Sequence, residues 1–214
     1  MMNFIPIFPL ALVVFPGEDL NLHIFEPRYK ELIAECSASK KPFGIPAVIG
    51  SKVSEMGTLV EITEIVKTYD NGEMDIRTKG IRIFRMLEMI PVVPEKAYGG
   101  AIVEYPDNSP TGNNELMRKV LEGIGYLHKM LNVTKKFSIS GSELRSYDVA
   151  HHAGLSLEQE YEFLGILTEL QRQEYLRRHL QDVLPVVAEM ESLKEKVKLN
   201  GHFRNLSGFR FDME

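Results

Sequence analysis

Between residues 106 and 114 the chain reads Pro-Asp-Asn-Ser-Pro-Thr-Gly-Asn-Asn, where nearly every residue disfavours regular structure. The apolar periodicity differs on its two sides. Before the run, apolar residues alternate or cluster in short bursts, the pattern of strands. After it they recur every three to four residues, the pattern of helices. A chain built this way is an α+β protein whose strands and helices are segregated along the sequence.

On the N-terminal side, Phe4 to Pro9 reads as a short strand whose prolines suit a sheet edge. Leu20 to Phe25 alternates, with Leu20, Leu22 and Ile24 on one face, and Pro16-Gly17 before it signals a turn. A helix follows. Pro27 suits a first helical position, and Tyr29, Leu32, Ile33 and Cys36 form one apolar stripe that the polar Ser37-Ala38-Ser39-Lys40-Lys41 run ends. Strands resume at Gly44 to Ile49 and Thr58 to Thr68. Asp70-Asn71-Gly72 predicts a tight hairpin with positive φ at both Asn71 and Gly72. The return strand starts near Met74, is interrupted at Lys79-Gly80, and loses its alternation at Ile83-Phe84, which predicts a bulge there. Ala101 to Tyr105 is the last strand. This half reads as a small closed or half-closed β-structure with one helix against it.

On the C-terminal side, Leu116, Val120, Ile124, Leu127 and Leu131 share a helical face. Ser142 is placed to cap a short helix running to Ala153, with Gly154 ending it. Ser156 with Gln159 forms a capping box for the next. Leu176, Leu180, Val183, Val187 and Met190 mark a last helix, which Pro185 should kink or split and Asn200-Gly201 should stop. The expected organisation is a β domain over 1–106, a bundle of about four helices over 113–200 and a tail over 201–214. The tail holds Phe203, Phe209 and Phe211, and such aromatic density predicts docking on a sheet edge.

Charge and motifs exclude several chemistries. The net charge of -5 gives no bulk attraction to nucleic acid or an anionic membrane. No apolar run reaches membrane-spanning length, the apolar N-terminus lacks a basic segment ahead of it, and Cys36 is the only cysteine; these features point to a cytoplasmic protein without a disulfide. Cys36 itself, on a buried helix face, reads as a core residue. His151-His152 is the only adjacent His pair, but neighbours on a helix diverge by about 100° and rarely share a metal ion. No phosphate-binding glycine loop and no Gly-x-Ser-x-Gly elbow occurs. Val149 to Ser156 has the cadence of a helix-turn-helix. Its second helix would carry Glu158, Glu160 and Glu162 towards phosphates, so the packing reading is preferred.

With the residues read, a resemblance is visible. Phe8-Pro9-Leu10, Phe15-Pro16-Gly17 and Ile24-Phe25-Glu26-Pro27-Arg28-Tyr29 match, in order, the opening of the Lon protease N-terminal (substrate-binding) domain family. Phe43-Gly44-Ile45, Gly57 to Ile62, Asp70-Asn71-Gly72 and Gly80 to Phe84 continue the match, which is closest to free-standing bacterial members. The resemblance implies a PUA-like β-pseudobarrel with one packed helix, followed by a C-terminal α-helical bundle. It also implies a non-catalytic module without cofactor or metal, which binds unfolded or exposed peptide segments or serves as an adaptor for a protease or chaperone. The motif residues read as structural, with Arg28 pairing a carboxylate to fix helix against sheet.

Met and aromatic side chains often line adaptable peptide-binding surfaces. On that ground Tyr69, Met74, Phe84, Met86, Met89 and Tyr98 are the candidate contacts. A hydrolase with an unrecognised pocket and an RNA-binding protein are the alternative readings.

Overall fold

A computed structural model of the protein describes residues 3–134 and 144–204, as backbone only over 199–204. Six strands come first: β1 (Asn3–Pro6), β2 (Asp19–Ile24), β3 (Phe43–Ile49), β4 (Lys52–Thr68), β5 (Met74–Ile90) and β6 (Gly100–Glu104). Helix α1 (Pro27–Ser39) lies between β2 and β3. All strand pairs are antiparallel, in the order β1-β6-β5-β4-β3, with β2 pairing β5 off that path. The sheet also closes on itself. Beyond β1 the chain runs parallel to β3, with bridges Ile7–Gly44 and Leu10–Ala47 and a Phe8 N–H donated to the Gly44 carbonyl at 2.8 Å. The N-terminal strand is therefore a closing element, not the edge that its prolines suggest.

Within this one sheet β5 has two further partners besides β4. The first part of β5 pairs β2 from Ile24–Met74 to Asp19–Lys79, and its last part pairs β6 from Arg85–Glu104 to Ile90–Gly100. The change falls at a bulge: Leu59 faces Arg82 but Val60 faces Gly80, which leaves Ile81 extra. A Cβ on Gly80 would stand 2.3 Å from the Phe15 carbonyl oxygen, so this close approach admits only glycine. The bulge is thus two residues earlier than the lost alternation predicts. Ile83 and Phe84 keep regular pairing, to Thr58 and Gly57. Both are buried because both sheet faces are covered there, one by helices and one by the interior of the closed sheet.

The hairpin loop also differs from expectation. Gly72 has φ of +78° but Asn71 does not share it. The Gly72 N–H bonds to the Tyr69 carbonyl and the Tyr69 N–H to the Glu73 carbonyl, at 2.9 and 2.8 Å. This is a three-residue loop with one left-handed glycine, not a two-residue turn.

Helix α1 follows the sequence closely. Pro27 opens it, Lys40 in the left-handed conformation ends it, and Tyr29, Leu32, Ile33 and Cys36 are its buried face. They pack with Ile24, Phe43, Met74 and Ile76. Arg28 does not tie helix to sheet; it pairs with Glu26 at 2.8 Å and lies over the adjacent Tyr29 ring.

Helices α2 (Asn114–Met130), α3 (Ser146–Val149), α4 (Leu157–Leu164) and α5 (Glu169–Arg204), with a 3₁₀ turn at Ala150–His152, make up the rest. Two are long, and α2 packs along α5. Met117, Val120, Ile124 and Leu127 are the buried face of α2. The Ser156–Gln159 capping box is formed at α4. Helix α5 runs unbroken through Pro185, which is exposed, and through Asn200-Gly201. The helices cover the outer face of the closed sheet, where Val13, Phe15, Ala47, Met56 and Ile83 meet Val120, Ile124, Phe163, Leu176 and Leu180 in one apolar cluster. Among the described residues no helix is long and apolar enough to cross a membrane. Ser142, Phe209 and Phe211, and the side chain of Phe203, lie outside the described residues.

Candidate functional site

The Phe15-Pro16-Gly17-Glu18 turn lies where strands and helices meet. Gly17 takes φ of +90°, Glu18 Oε2 accepts the Phe15 N–H at 2.8 Å, and the Gly17 and Gly80 amides bond across to the carbonyls of Gly80 and Glu18. The turn is thereby fastened to the bulge of β5. It points the Phe15 ring into the helical side, against Tyr147 at 5.3 Å and edge-on to Phe163 at 5.6 Å. His151 completes the clasp. Its Nδ1 meets Glu160 at 2.6 Å and its Nε2 meets Glu18 at 3.1 Å. Partial burial works against charge on the imidazole, but the two carboxylates outweigh it and raise the pKa to about 9.

Beside this clasp is a cleft of about 540 Å³, within the range typical of small-ligand and peptide sites. Its floor is a buried polar network. Arg172, 2% exposed, donates from Nη2 to Glu169 at 2.9 Å, from Nε to Ser146 Oγ at 3.0 Å, and from Nη1 to Asn108 Oδ1 and the Ile166 carbonyl at 2.8 and 2.7 Å. Glu169 also accepts from the Ser146 N–H and hydroxyl and from Gln173. The guanidinium lies 4.0 Å from the centre of the Tyr147 ring. Burial pushes the Tyr147 hydroxyl up to about 12, against the pull of Arg172 and of the nearby Asn108 side chain. Among the described residues that buried hydroxyl makes no well-formed hydrogen bond.

The walls are apolar at Pro16, Ile81, Pro106 and Pro110, and the rim carries Arg82, Asp107, Arg145 and Asp148. Ile81, the extra residue of the bulge, is 42% exposed. This lining offers hydrogen-bond donors and acceptors between apolar surfaces. Among the described residues its lining holds no Ser, Cys, His or Lys. Among the described residues no group of three His, Cys, Asp or Glu is placed to hold a metal ion.

None of the six candidate contacts lines this cleft, and they do not share a surface. Met74, 8% exposed, is core beneath α1. Phe84 is fully buried against Gly44 and Gly57 inside the closed sheet, with Met86 partly buried beside it. Tyr98 is buried and donates to Glu35 at 2.6 Å. Tyr69 donates to Asp75 at 2.7 Å under the Lys67 ammonium, near the hairpin tip. Met89 alone is well exposed, near the end of β5. Their apolar bulk goes to three different packing regions, so the structure does not bring the six together. Cys36 is core, and burial raises its thiol to about 11.

The residues missed in sequence are Asn108, Tyr147, Arg172 and Glu169. One signal was present: the apolar stripe of α5 through Leu180 and Leu176 continues backwards onto Gln173, Arg172 and Glu169. Charged residues on the buried face of a helix imply an internal polar network.

The model for the ATP-dependent protease La (LON) substrate-binding domain matches residues 5–182. Two solved structures share the fold. The Lon N-terminal domain protein from Xanthomonas campestris is 24% identical, with a TM-score of 0.62 over 81% of this chain and 96% of that one. The N-terminal domain of the Mycobacterium avium complex Lon protease is 15% identical, with a TM-score of 0.63 over 84% of this chain and 99% of that one.

Proposed function

Because the chain belongs to the Lon substrate-binding domain family, we propose that it binds exposed segments of other proteins in the cleft beside the Phe15–Glu18 turn. One observation carries this reading: among the described residues, the cleft combines apolar walls with a charged and polar rim. An extended peptide supplies both complements, backbone groups to bond the rim of Arg82, Asp107, Arg145 and Asp148 and side chains to cover Ile81 and the prolines. Strand addition is a poorer mode here. The part of β4 beyond Glu61 is paired on one side only, but it has two bulges, around Thr63 and Val66, and carries Glu64 and Lys67, devices that discourage edge pairing. In this reading the protein is a cytoplasmic, cofactor-free recognition module with a PUA-like β part, and it presents clients to a separate protease or chaperone.

The test is binding of a fluorescently labelled unfolded protein, with its folded form as control. The unfolded form should bind saturably. Ile81→Asp, at an exposed position, should lower affinity at least about tenfold. Equal affinity of parent and Ile81→Asp would move the site elsewhere, and no preference for the unfolded form would end the proposal.

A further inference from the structure

Helix α5 leaves the body of the molecule with an apolar stripe uncovered. Val183, Leu184 and Val187 still pack against the core shared with the sheet. Beyond them Val186, Met190, Leu193 and Val197 are 56%, 60%, 62% and 65% exposed. Their spacing of four, three and four is the seam of a coiled coil, with Met190 and Val197 at one core position and Val186 and Leu193 at the other. A solvated helix face does not place its large apolar residues in one line.

The charges beside the seam select what covers it. Lys194 and Lys198 are paired within the helix, to Glu191 and Glu195. Glu189 and Lys196, which flank the stripe on the same side, form no ion pair among the described residues. Laying the stripe antiparallel on a second copy of itself, with Met190 opposite Leu193 and Val186 opposite Val197, brings Glu189 of each copy beside Lys196 of the other, twice by symmetry. Shifting the register by one heptad step in either direction sets Glu189 against Glu189 or Lys196 against Lys196. The antiparallel arrangement also carries the two bodies to opposite ends of the seam. The geometry points to an antiparallel homodimer built on residues 186–197 of α5.

The seam is short, so association should be weak. Sedimentation equilibrium of the full chain tests it. The parent should shift with concentration from 24.4 kDa towards twice that mass. Leu193→Asp, at an exposed position, should stay monomeric with an unchanged thermal melt. Glu189→Lys should weaken association at least about fivefold, and Glu189→Lys combined with Lys196→Glu should restore it. A parent that stays monomeric at several hundred micromolar overturns the proposal and leaves the stripe to residues 205–214 or to another protein's helix. A charge-swapped pair that fails to recover overturns the antiparallel register.

Discussion

His151 joins two stretches of chain far apart in sequence, since Glu18 and Glu160 hold its two ring nitrogens. The imidazole pKa stands above its unfolded value, so the folded state binds the proton more tightly. The stabilisation is complete below about pH 6.5 and disappears as pH rises through about 9. The side chain is 37% exposed and partly screened, so about 1 kcal/mol is a fair magnitude. The stability difference between the parent and His151→Gln, from urea melts, should therefore be largest near pH 6 and vanish by about pH 10. A pH-independent difference would mean that the clasp acts by packing alone. Local chemistry of this kind was legible in part. Pro27, Ser156 and Cys36 behave as read because helix starts, caps and stripes depend on near neighbours. The partners of His151 and Tyr147 were not legible, because a contact from residue 151 to residue 18 leaves no mark on the residues between.

At the scale of elements, the polar floor of the cleft shows how a helix can be half core and half network. Replacing Arg172 by Met leaves the Glu169 carboxylate buried without its cation, a change that costs roughly 3–5 kcal/mol. Removing both charges, as Glu169→Gln with Arg172→Met, should cost clearly less than Arg172→Met alone. Urea unfolding of the two variants measures this, and a double variant no better than the single one would show that the ion pair is not the unit. Element positions were mostly readable here, and their irregularities were not. The strands and α1 fall where alternation and the helical stripe put them. The bulge was displaced because Ile83 and Phe84 mimic a slipped register when both faces of a strand are covered. The split expected at Pro185 does not occur: α5 continues through it, with Val183, Leu184 and Val187 around it packed against the core.

For the whole molecule, the breaker run at 106–114 suggests two separate units, yet the largest apolar cluster draws on both. Val13, Phe15, Ala47, Met56 and Ile83 come from the strands and their connections; Met117, Ile124, Phe163 and Leu180 come from the helices. Urea unfolding followed by far-ultraviolet dichroism and by tyrosine fluorescence should give one coincident transition, while two separated transitions would show independent units. The candidate contacts are scattered at this scale. Residue type marks what is suitable for a surface, but the fold decides which apolar side chains reach one.

The closing of the sheet has a consequence for synthesis. Asn3 pairs with Val103, so the first strand emerges from the ribosome without its antiparallel partner and waits for most of the β part to follow. At ordinary rates of translation that is roughly 5 to 20 seconds. Throughout it the apolar segment from Phe4 to Phe15 is available to chaperones and to other nascent chains. A protein whose family is named for binding substrate thus passes through a stage in which its own β1 segment is client-like.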